Sequence, residues 1–305
     1  MRICIAGLGG VGGYFGGRLA VAYETSAEHE ISFLCRGEHM NRIREKGLVV
    51  TTPQETFVAH PRVVSDSPAE IGCVDVLFFA VKGYHLQAFA KAARPLCHNQ
   101  TLLIPLGNGV DNADILCKEK IPGILFNGCV YISAFIASPG EIHQVGGNCK
   151  MIVGPVNDHI EKHRSFEKVM KEGGILFELT PKIDLAVWTK FIFMSPMAAV
   201  TTLKRASFGE VLSQKRTRDM VLNLMKEVES LAQEKGIALP GNIVAASLEK
   251  AQSFPPETRS SMELDASKGR PTELETFVGA VVRLAQDAGI SVPLYEKVYK
   301  ALLQE

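Results

Sequence analysis

The pattern of apolar and polar residues along the chain changes near residue 180. Before that point, short apolar runs alternate with amphipathic stretches, as strands alternate with helices around a parallel sheet. From Pro181 onward, each clear pattern repeats with the helical period. The sequence therefore predicts an α/β first domain over residues 1–180 and an all-helical second domain over residues 181–305.

The clearest strands of the first domain are the apolar runs Ile3–Ala6, Ile31–Cys35 and Val74–Val81. The third run is apolar nearly throughout, as expected for a parallel strand that is covered on both faces. A further strand is predicted at Leu102–Ile104. Extended segments are predicted at residues 123–137, 141–145 and 150–153, with a turn at residues 138–140. Amphipathic segments between these runs predict the helices that cover the sheet.

The first strand is followed by a glycine-rich hexapeptide and then by a helical pattern of small and apolar residues. The hexapeptide reads Gly7-Leu8-Gly9-Gly10-Val11-Gly12. Gly7 permits a tight turn, Gly9 lets the backbone approach a pyrophosphate, and Gly12 allows close packing of helix on strand. The free N–H groups at the helix start would face the phosphates. A glycine-rich turn without a ligand is the alternative, but the strand–loop–helix context favours a dinucleotide site in a Rossmann-type doubly wound sheet.

Three polar side chains follow predicted strands, at the sheet edge where open α/β sheets bind their ligands. Arg36 follows the second strand. An acidic residue there would bond the free 2′-hydroxyl of NAD, whereas an arginine can bind a 2′-phosphate, so NADP is favoured. Lys82 follows the third strand, and Asn108 lies between two glycines after the next one. The alternatives are a surface arginine, a solvated lysine that opens a helix and an ordinary turn asparagine, but three polar groups at one edge favour a binding site.

Lys190 lies in the long predicted helix 182–203, among aromatic and aliphatic residues. A lysine in so apolar a segment either extends its ammonium to a surface or points it into a cleft. Helical spacing places Met194 and Ala198 on the same face. Whatever Lys190 faces, these two side chains are expected to face as well.

Two further polar positions, Ser261 and Glu273, precede or open predicted helical segments. Ser260 with Glu263, and Thr272 with Glu275, fit the spacing of a capping box. Glu273 would also be stabilised by the helix dipole without any part in chemistry. Helix capping is therefore the alternative to a functional role at both positions.

Composition narrows the choice of partners. The chain has 33 Lys and Arg and 33 Asp and Glu, so no net field favours nucleic acid or an anionic membrane.

Its seven cysteines are scattered and never spaced C-x-x-C, which predicts reduced thiols in a cytoplasmic protein rather than disulfides or zinc. His159 and His163 are expected on a solvated helix face rather than on a metal. Neither a signal peptide nor a membrane span is expected.

Taken together, these segments resemble the ketopantoate reductases (2-dehydropantoate 2-reductases). The matching features occur in the order of that family and cover nearly the whole chain. They are Gly7-x-Gly9-x-x-Gly12, Arg36, Val81-Lys82, Asn108-Gly109, Trp188-x-Lys190, Ser260-Ser261-Met262-x-x-Asp265, Gly269-Arg270-x-Thr272-Glu273, and Gly289 to Pro293.

The resemblance implies a Rossmann domain and a helical domain, with NADPH and a small 2-keto acid bound between them. By motif match, Lys190 resembles the general acid of the family and Glu273 its acidic partner. Asn108 and Ser261 resemble substrate-positioning groups, and Lys82 a cation on the cofactor or substrate side. Residues 7–12, Arg36, Lys82 and Asn108 are expected to contact the cofactor. The implied reaction is reduction of ketopantoate to pantoate, in which a nearby ammonium stabilises and then protonates the carbonyl oxygen.

The chain departs from the family pattern on the helix face of the lysine. Family members often carry asparagines one and two turns after it, where this chain has Met194 and Ala198, and these two are expected to shape a more apolar substrate pocket. Three interpretations follow: a ketopantoate reductase of pantothenate synthesis, a paralogue that reduces another 2-keto acid, or a non-catalytic NADP-binding sensor. Lys190 together with Glu273 argues against the sensor. The sequence leaves open whether the chain forms a homodimer.

Overall fold

The apolar runs of the first half of the chain form a ten-stranded mixed sheet in the computed structural model, which describes residues 1–304. Its strands follow the order β4-β3-β9-β8-β7-β6-β1-β2-β5, and β10 pairs with β9. The strands are β1 Arg2–Ala6, β2 Glu30–Leu34, β3 Leu48–Thr51, β4 Thr56–Ala59, β5 Val63–Ser65, β6 Val76–Phe79, β7 Leu102–Pro105, β8 Ile124–Ser138, β9 Glu141–Pro155 and β10 Leu176–Leu179.

Helices cover both faces of this sheet, as the apolar character of its strands requires. Alternate residues of β1 enter different cores: Ile3 and Ile5 pack into one apolar cluster, and Cys4 and Ala6 pack into the other. The helices of this part of the chain are α1 Gly10–Ala22, α2 Gly37–Lys46, α3 Pro68–Ile71, α4 Gly83–Ala92, α5 Asn112–Lys118 and α6 Arg164–Glu172. The predicted doubly wound α/β fold is confirmed.

The sheet reverses its order of strands at β1. The chain leaves β1 through α1 to reach β2 on one side, and β6 later pairs with the other side of β1. Beyond the strand ends, Gly7 donates its N–H to Leu34 at 3.0 Å, and Ala80 donates to Ala6 at 2.8 Å. The carboxyl ends of β1, β2 and β6 therefore meet at the topological switch point, where sheets of this kind bind ligands.

Two predictions for the later part of this sheet need revision. The extended segment predicted at residues 123–137 is β8, and the predicted turn after Ser138 joins it to β9. The two segments predicted at residues 141–145 and 150–153 are instead one continuous strand, β9, which pairs with β8 along a hairpin. The segment of His159 and His163, predicted as a helix, begins with a 3-10 turn, and His163 in that turn is only 5% exposed. Its ring lies 3.1 Å from Asp158, so the prediction that His163 lies on a solvated face is wrong.

The second part of the chain is helical, as predicted. Its helices are α7 Ile183–Lys204, α8 Phe208–Ser213, α9 Lys215–Glu234, α10 Ile243–Gln252, α11 Ser261–Ser267, α12 Ala280–Ala288 and α13 Pro293–Leu302. A π-helical turn, Glu275–Gly279, precedes α12. The helices α8 and α13 were not predicted, and α11 was indicated only by the capping-box spacing of Ser260 and Glu263.

The longest helix, α7, continues through Pro196. By length and composition alone it could cross a membrane, but 67% of its most apolar 18-residue window is buried inside the protein. This burial is typical of the core helix of a helical domain. The apolar surroundings of Lys190 are therefore the core of the helical part of the chain.

The two capping boxes expected in this region have different outcomes. The Ser260 hydroxyl accepts the N–H of Glu263 at 3.1 Å, so Ser260 caps α11. The reciprocal half of this box does not form, because the carboxylate of Glu263 bonds Arg259 instead. The box of Thr272 and Glu275 does not form, because the carboxylate of Glu275 bonds Arg283 and Tyr299 instead. The helix there starts later, in the π-helical turn.

By its contacts the chain divides into two units. The first unit comprises residues 1–107 and 112–183, and the second comprises residues 108–111 and the chain from residue 184 onward. The sequence places residues 108–111 in the predicted first domain, but their contacts group them with the helices. Asn108 therefore belongs to the same unit as Lys190 and Glu273.

The complete capping box of α8 gives a test of the fold of the second unit. Ser207 and Glu210 exchange bonds of 2.7 and 3.3 Å at the start of this helix. Replacing Ser207 with alanine should lower the free energy of unfolding by about 1 kcal/mol, measured by urea denaturation. Ser213→Ala, an exposed serine at the other end of α8, is the matched control and should change it by less than about 0.5 kcal/mol. Equal effects of the two substitutions would contradict the capping role.

Candidate cofactor site and polar chain

The glycine loop after β1 has the geometry of a dinucleotide fingerprint. Gly7 has a φ of +91°, which favours glycine. A Cβ atom at Gly12 would lie 1.9 Å from the carbonyl oxygen of Gly7, so α1 can pack against the loop only without a side chain there. A Cβ atom at Gly9 would meet nothing within 4 Å. The space beside Gly9 is therefore open to a ligand.

Gly10 is required for a different reason. A Cβ atom at this position would lie 1.9 Å from the carbonyl oxygen of Ala134 on β8, so its small size serves packing inside the first unit. Helix α1 starts here without any side-chain cap. The first N–H groups of a helix have no partner within it, so they can bind an anion such as a pyrophosphate. Among the other loop residues, Leu8 is buried and Val11 is half-buried.

Arg36 and Lys82 lie at the same edge of the sheet as this loop. Arg36 is the exposed N-cap residue of α2, directly beyond β2. Its guanidinium makes no hydrogen bond or ion pair with any residue in the described range, so all of its donors are available to a ligand. Lys82 is the half-buried N-cap residue of α4, beyond β6. Together with the open space at Gly9 and the uncapped start of α1, these positions fit a phosphorylated dinucleotide.

In the second unit, Lys190, Asn108 and Glu273 form a polar chain. The Lys190 ammonium donates to Asn108 Oδ1 at 3.0 Å, and Asn108 Nδ2 donates to Glu273 Oε2 at 3.5 Å. An ammonium can only donate and a carboxylate can only accept, so these two neighbours determine which way the Asn108 amide faces. Three residues that lie far apart in the sequence are thus brought into one hydrogen-bonded chain.

The loop that carries Asn108 is held in place by its backbone and by an ion pair. Gly109 has a φ of +109°, a conformation that favours glycine. The carboxylate of Asp111 lies 3.6 Å from the guanidinium of Arg283 on α12. These features attach the loop to the helical unit and explain why its contacts group it there.

Glu273 is 3% exposed. A buried carboxylate is costly unless other groups bond it, and Asn108 is one such group. The backbone carbonyl of Glu273 accepts the N–H groups of Thr276 and Phe277, at 3.1 and 3.0 Å. Glu273 is therefore held at the start of the π-helical turn, and turns of this kind frequently occur at functional sites.

The other predicted substrate contacts lie outside this polar chain. Met194, one turn after Lys190 on α7, is half-buried, whereas Ala198 is only 1% exposed. Ser261 is the exposed first residue of α11, and its hydroxyl bonds no other residue between 1 and 304. Their roles in substrate binding remain predictions. The π-helical turn and the ion pair of Arg283 were missed, since neither has a local sequence pattern.

Family models support this assignment of the fold over most of the chain. The model described as Ketopantoate reductase PanE/ApbA matches residues 3–158, and the model of its C-terminal part matches residues 182–304. The chain belongs to the ketopantoate reductase family. It is therefore an oxidoreductase, as the resemblance implied.

Individual members of this family show how similar the chain is to known proteins. An uncharacterized oxidoreductase YkpB from Bacillus subtilis (strain 168) is 26% identical, over 99% of this chain and 98% of the relative. The crystal structure of 2-dehydropantoate 2-reductase from Porphyromonas gingivalis W83 is 29% identical, covers 99% of each chain and has a TM-score of 0.85. The ternary structure of D-mandelate dehydrogenase with NADH and anilino(oxo)acetate has the same fold, with a TM-score of 0.86, 23% identity and coverage of 100% of this chain and 98% of that one.

The two glycines of the loop should respond differently to the same substitution. Gly12→Ala places a Cβ atom on a backbone oxygen, so it should lower the thermal stability of the protein markedly. Gly9→Ala meets open space with an ordinary φ of −71°, so the protein should melt near the wild-type temperature. The added methyl group should nevertheless weaken the binding of a reduced nicotinamide dinucleotide about tenfold or more, measured by fluorescence titration. Unchanged binding by the folded Gly9→Ala variant would contradict the close approach of a pyrophosphate.

Proposed function

We propose that this protein is an NADPH-dependent reductase of a 2-keto acid and that its substrate is 2-dehydropantoate, which it reduces to pantoate. The observation that carries the proposal is the polar chain of Lys190, Asn108 and Glu273. A lysine ammonium held by an amide suits a reaction in which negative charge develops on an oxygen. Membership of the ketopantoate reductase family, with a 2-dehydropantoate 2-reductase 29% identical over 99% of each chain, supports this substrate.

In the proposed reaction, bound NADPH supplies the hydride that adds to the keto carbon. The Lys190 ammonium stabilises the charge that develops on the carbonyl oxygen and then donates a proton to it, which completes the hydroxyl group. Asn108 holds this ammonium through its amide oxygen, at 3.0 Å. Glu273, bonded to the other end of the amide, orients the pair or accepts a bond from a substrate hydroxyl.

The first unit would hold the cofactor. The N–H groups at the start of α1 and the open backbone at Gly9 would receive the pyrophosphate. Arg36, exposed and without a protein partner in residues 1–304, would form charge-assisted bonds with the 2′-phosphate of the adenosine ribose. Lys82 at the neighbouring strand end would add a second cation.

A paralogous reductase of another 2-keto acid is the second candidate. The half-buried thioether of Met194 and the buried methyl of Ala198 stand where members of the family often have asparagines. An apolar side chain leaves a substrate hydroxyl without a partner, and an unpaired hydroxyl lowers affinity. A 2-keto acid with an apolar side chain would avoid that loss.

The role of Lys190 can be tested by substitution. Lys190→Ala should reduce kcat by a factor of about 100 or more, because proton transfer and charge stabilisation are both lost. NADPH binding, measured by fluorescence titration, should persist. Lys182→Ala removes an exposed lysine just before α7 and should leave both quantities unchanged. Turnover retained in Lys190→Ala would exclude Lys190 as the general acid.

The preference for NADPH over NADH should depend on Arg36. Arg36→Asp should weaken NADPH binding by a factor of about 10 to 100 through loss of charge-assisted bonds, and should affect NADH far less. Arg42→Asp, a change of an exposed arginine on the same helix, is the control and should preserve the ratio of the two affinities. Equal losses for both cofactors would show that Arg36 does not contact the 2′-phosphate.

The substrate can be identified by measuring the rate of NADPH oxidation with ketopantoate and comparing it with the rates for a panel of 2-keto acids that carry apolar side chains. Fast turnover of ketopantoate, with little activity from NADH, is the expected result. A preference for apolar 2-keto acids would support the paralogue. NADPH binding without turnover of any of these compounds would overturn the proposed activity and favour a non-catalytic sensor.

A further inference from the structure

The helix that carries Lys190 also carries a buried serine that makes two short hydrogen bonds. Ser195 is 0% exposed, and its hydroxyl lies 2.6 Å from the carbonyl oxygen of Phe277 and 2.6 Å from the Tyr295 hydroxyl. A carbonyl oxygen can only accept, so the single proton of Ser195 goes to Phe277. Tyr295 must then donate to Ser195. Burial raises the pKa of the Tyr295 hydroxyl, which keeps that donor proton in place.

Phe277 lies in the π-helical turn that follows Glu273. Its N–H donates to the carbonyl of Glu273 at 3.0 Å, while its own carbonyl accepts from Ser195. The peptide units around Phe277 thus connect Ser195 on α7 with the backbone of Glu273. A shift of this turn would move Glu273 with it.

A second contact from α7 reaches the same turn. The rings of Phe191 and Phe277 are stacked, with centroids 6.5 Å apart and an angle of 15° between their planes. Phe191 directly follows Lys190, and Ser195 lies further along the same helix. Helix α7 therefore contacts the π-helical turn at two positions, Phe191 and Ser195. The stacking contact is apolar and tolerates small displacements, whereas the hydrogen bond from Ser195 restricts the distance and angle between the turn and α7.

We propose that Ser195 is a positioning residue for the polar chain of Lys190, Asn108 and Glu273, and that it acts through the carbonyl of Phe277. Its hydroxyl holds the π-helical turn in register with α7, which keeps Glu273 at bonding distance from Asn108. The 3.5 Å bond between Asn108 and Glu273 is already long, so a small shift of the turn would break it. Only the kinetic part of the test below rests on the proposed function.

The decisive variant is Ser195→Ala, compared with two controls that also lose a buried hydroxyl. Tyr295→Phe removes the donor to Ser195 but leaves the bond from Ser195 to Phe277. Thr217→Val removes a hydroxyl that bonds backbone carbonyls at the start of α9, outside this cluster. Ser195→Cys, which keeps a weaker donor, provides an intermediate variant if Ser195→Ala folds poorly.

Ser195→Ala should lower kcat about tenfold, with the KM for the keto acid and the affinity for NADPH close to wild type, because a misplaced proton donor affects the transition state more than binding. The kcat of Ser195→Cys should lie between those of Ser195→Ala and the wild type. Tyr295→Phe and Thr217→Val should lose thermal stability but keep kcat within about twofold. Should Ser195→Ala lose only stability, as Thr217→Val does, Ser195 is structural and the proposal is overturned.

A second measurement does not depend on turnover. Trace acetylation with acetic anhydride, followed by peptide mass spectrometry, gives the reactivity of Lys190 relative to exposed Lys182. If Ser195→Ala shifts the turn, Asn108 loses its bond to Glu273 and no longer holds the Lys190 ammonium firmly, so Lys190 should be acetylated faster relative to Lys182. The relative acetylation of Lys190 should be unchanged in Tyr295→Phe and Thr217→Val. An unchanged ratio in Ser195→Ala would overturn the proposal. Absence of turnover in the wild type would defeat the proposed function alone, since the acetylation result would still decide the role of Ser195.

Discussion

The second unit depends on one side-chain amide. Asn108 has an acceptor at one end and a donor at the other, and it bonds an ammonium and a buried carboxylate with them. An aspartate in its place would present only acceptors to Glu273, and a lysine only donors to Lys190. An asparagine side chain combines an acceptor and a donor in one small planar unit, and the glycines on either side allow the backbone to deliver it. The rest of the site is arranged around this requirement.

This arrangement places a cost on the fold. The Glu273 carboxylate, 3% exposed, has given up most of its hydration, and the protein groups that bond it, Asn108 among them, must offset that free energy. Such a residue would be replaced by an apolar one if stability were the only demand. The presence of Glu273 near the half-buried Lys190 is explained by a role in the proposed reaction rather than in stability.

The sequence allowed the first unit to be predicted in more detail than the second. The fingerprint, the strand ends and the residues beyond them follow from periodicity and from the special geometry of glycine, which are local properties. The grouping of residues 108–111 with the helices depends on contacts such as that of Asp111 with Arg283, which join distant segments. The π-helical turn after Glu273 likewise depends on packing against α7. His163 was misjudged for the same reason, since its charged neighbours in sequence concealed a buried ring beside Phe126.

The glycine loop contains two kinds of glycine. Gly7, Gly10 and Gly12 are required by the backbone conformation or by atoms of the protein itself, whereas Gly9 faces open space. A descendant of this chain that no longer used a dinucleotide would still need Gly7, Gly10 and Gly12 in order to fold. Only Gly9 would be released to mutate. The identity of residue 9 therefore records whether a lineage still binds its cofactor, while the rest of the motif records only the architecture.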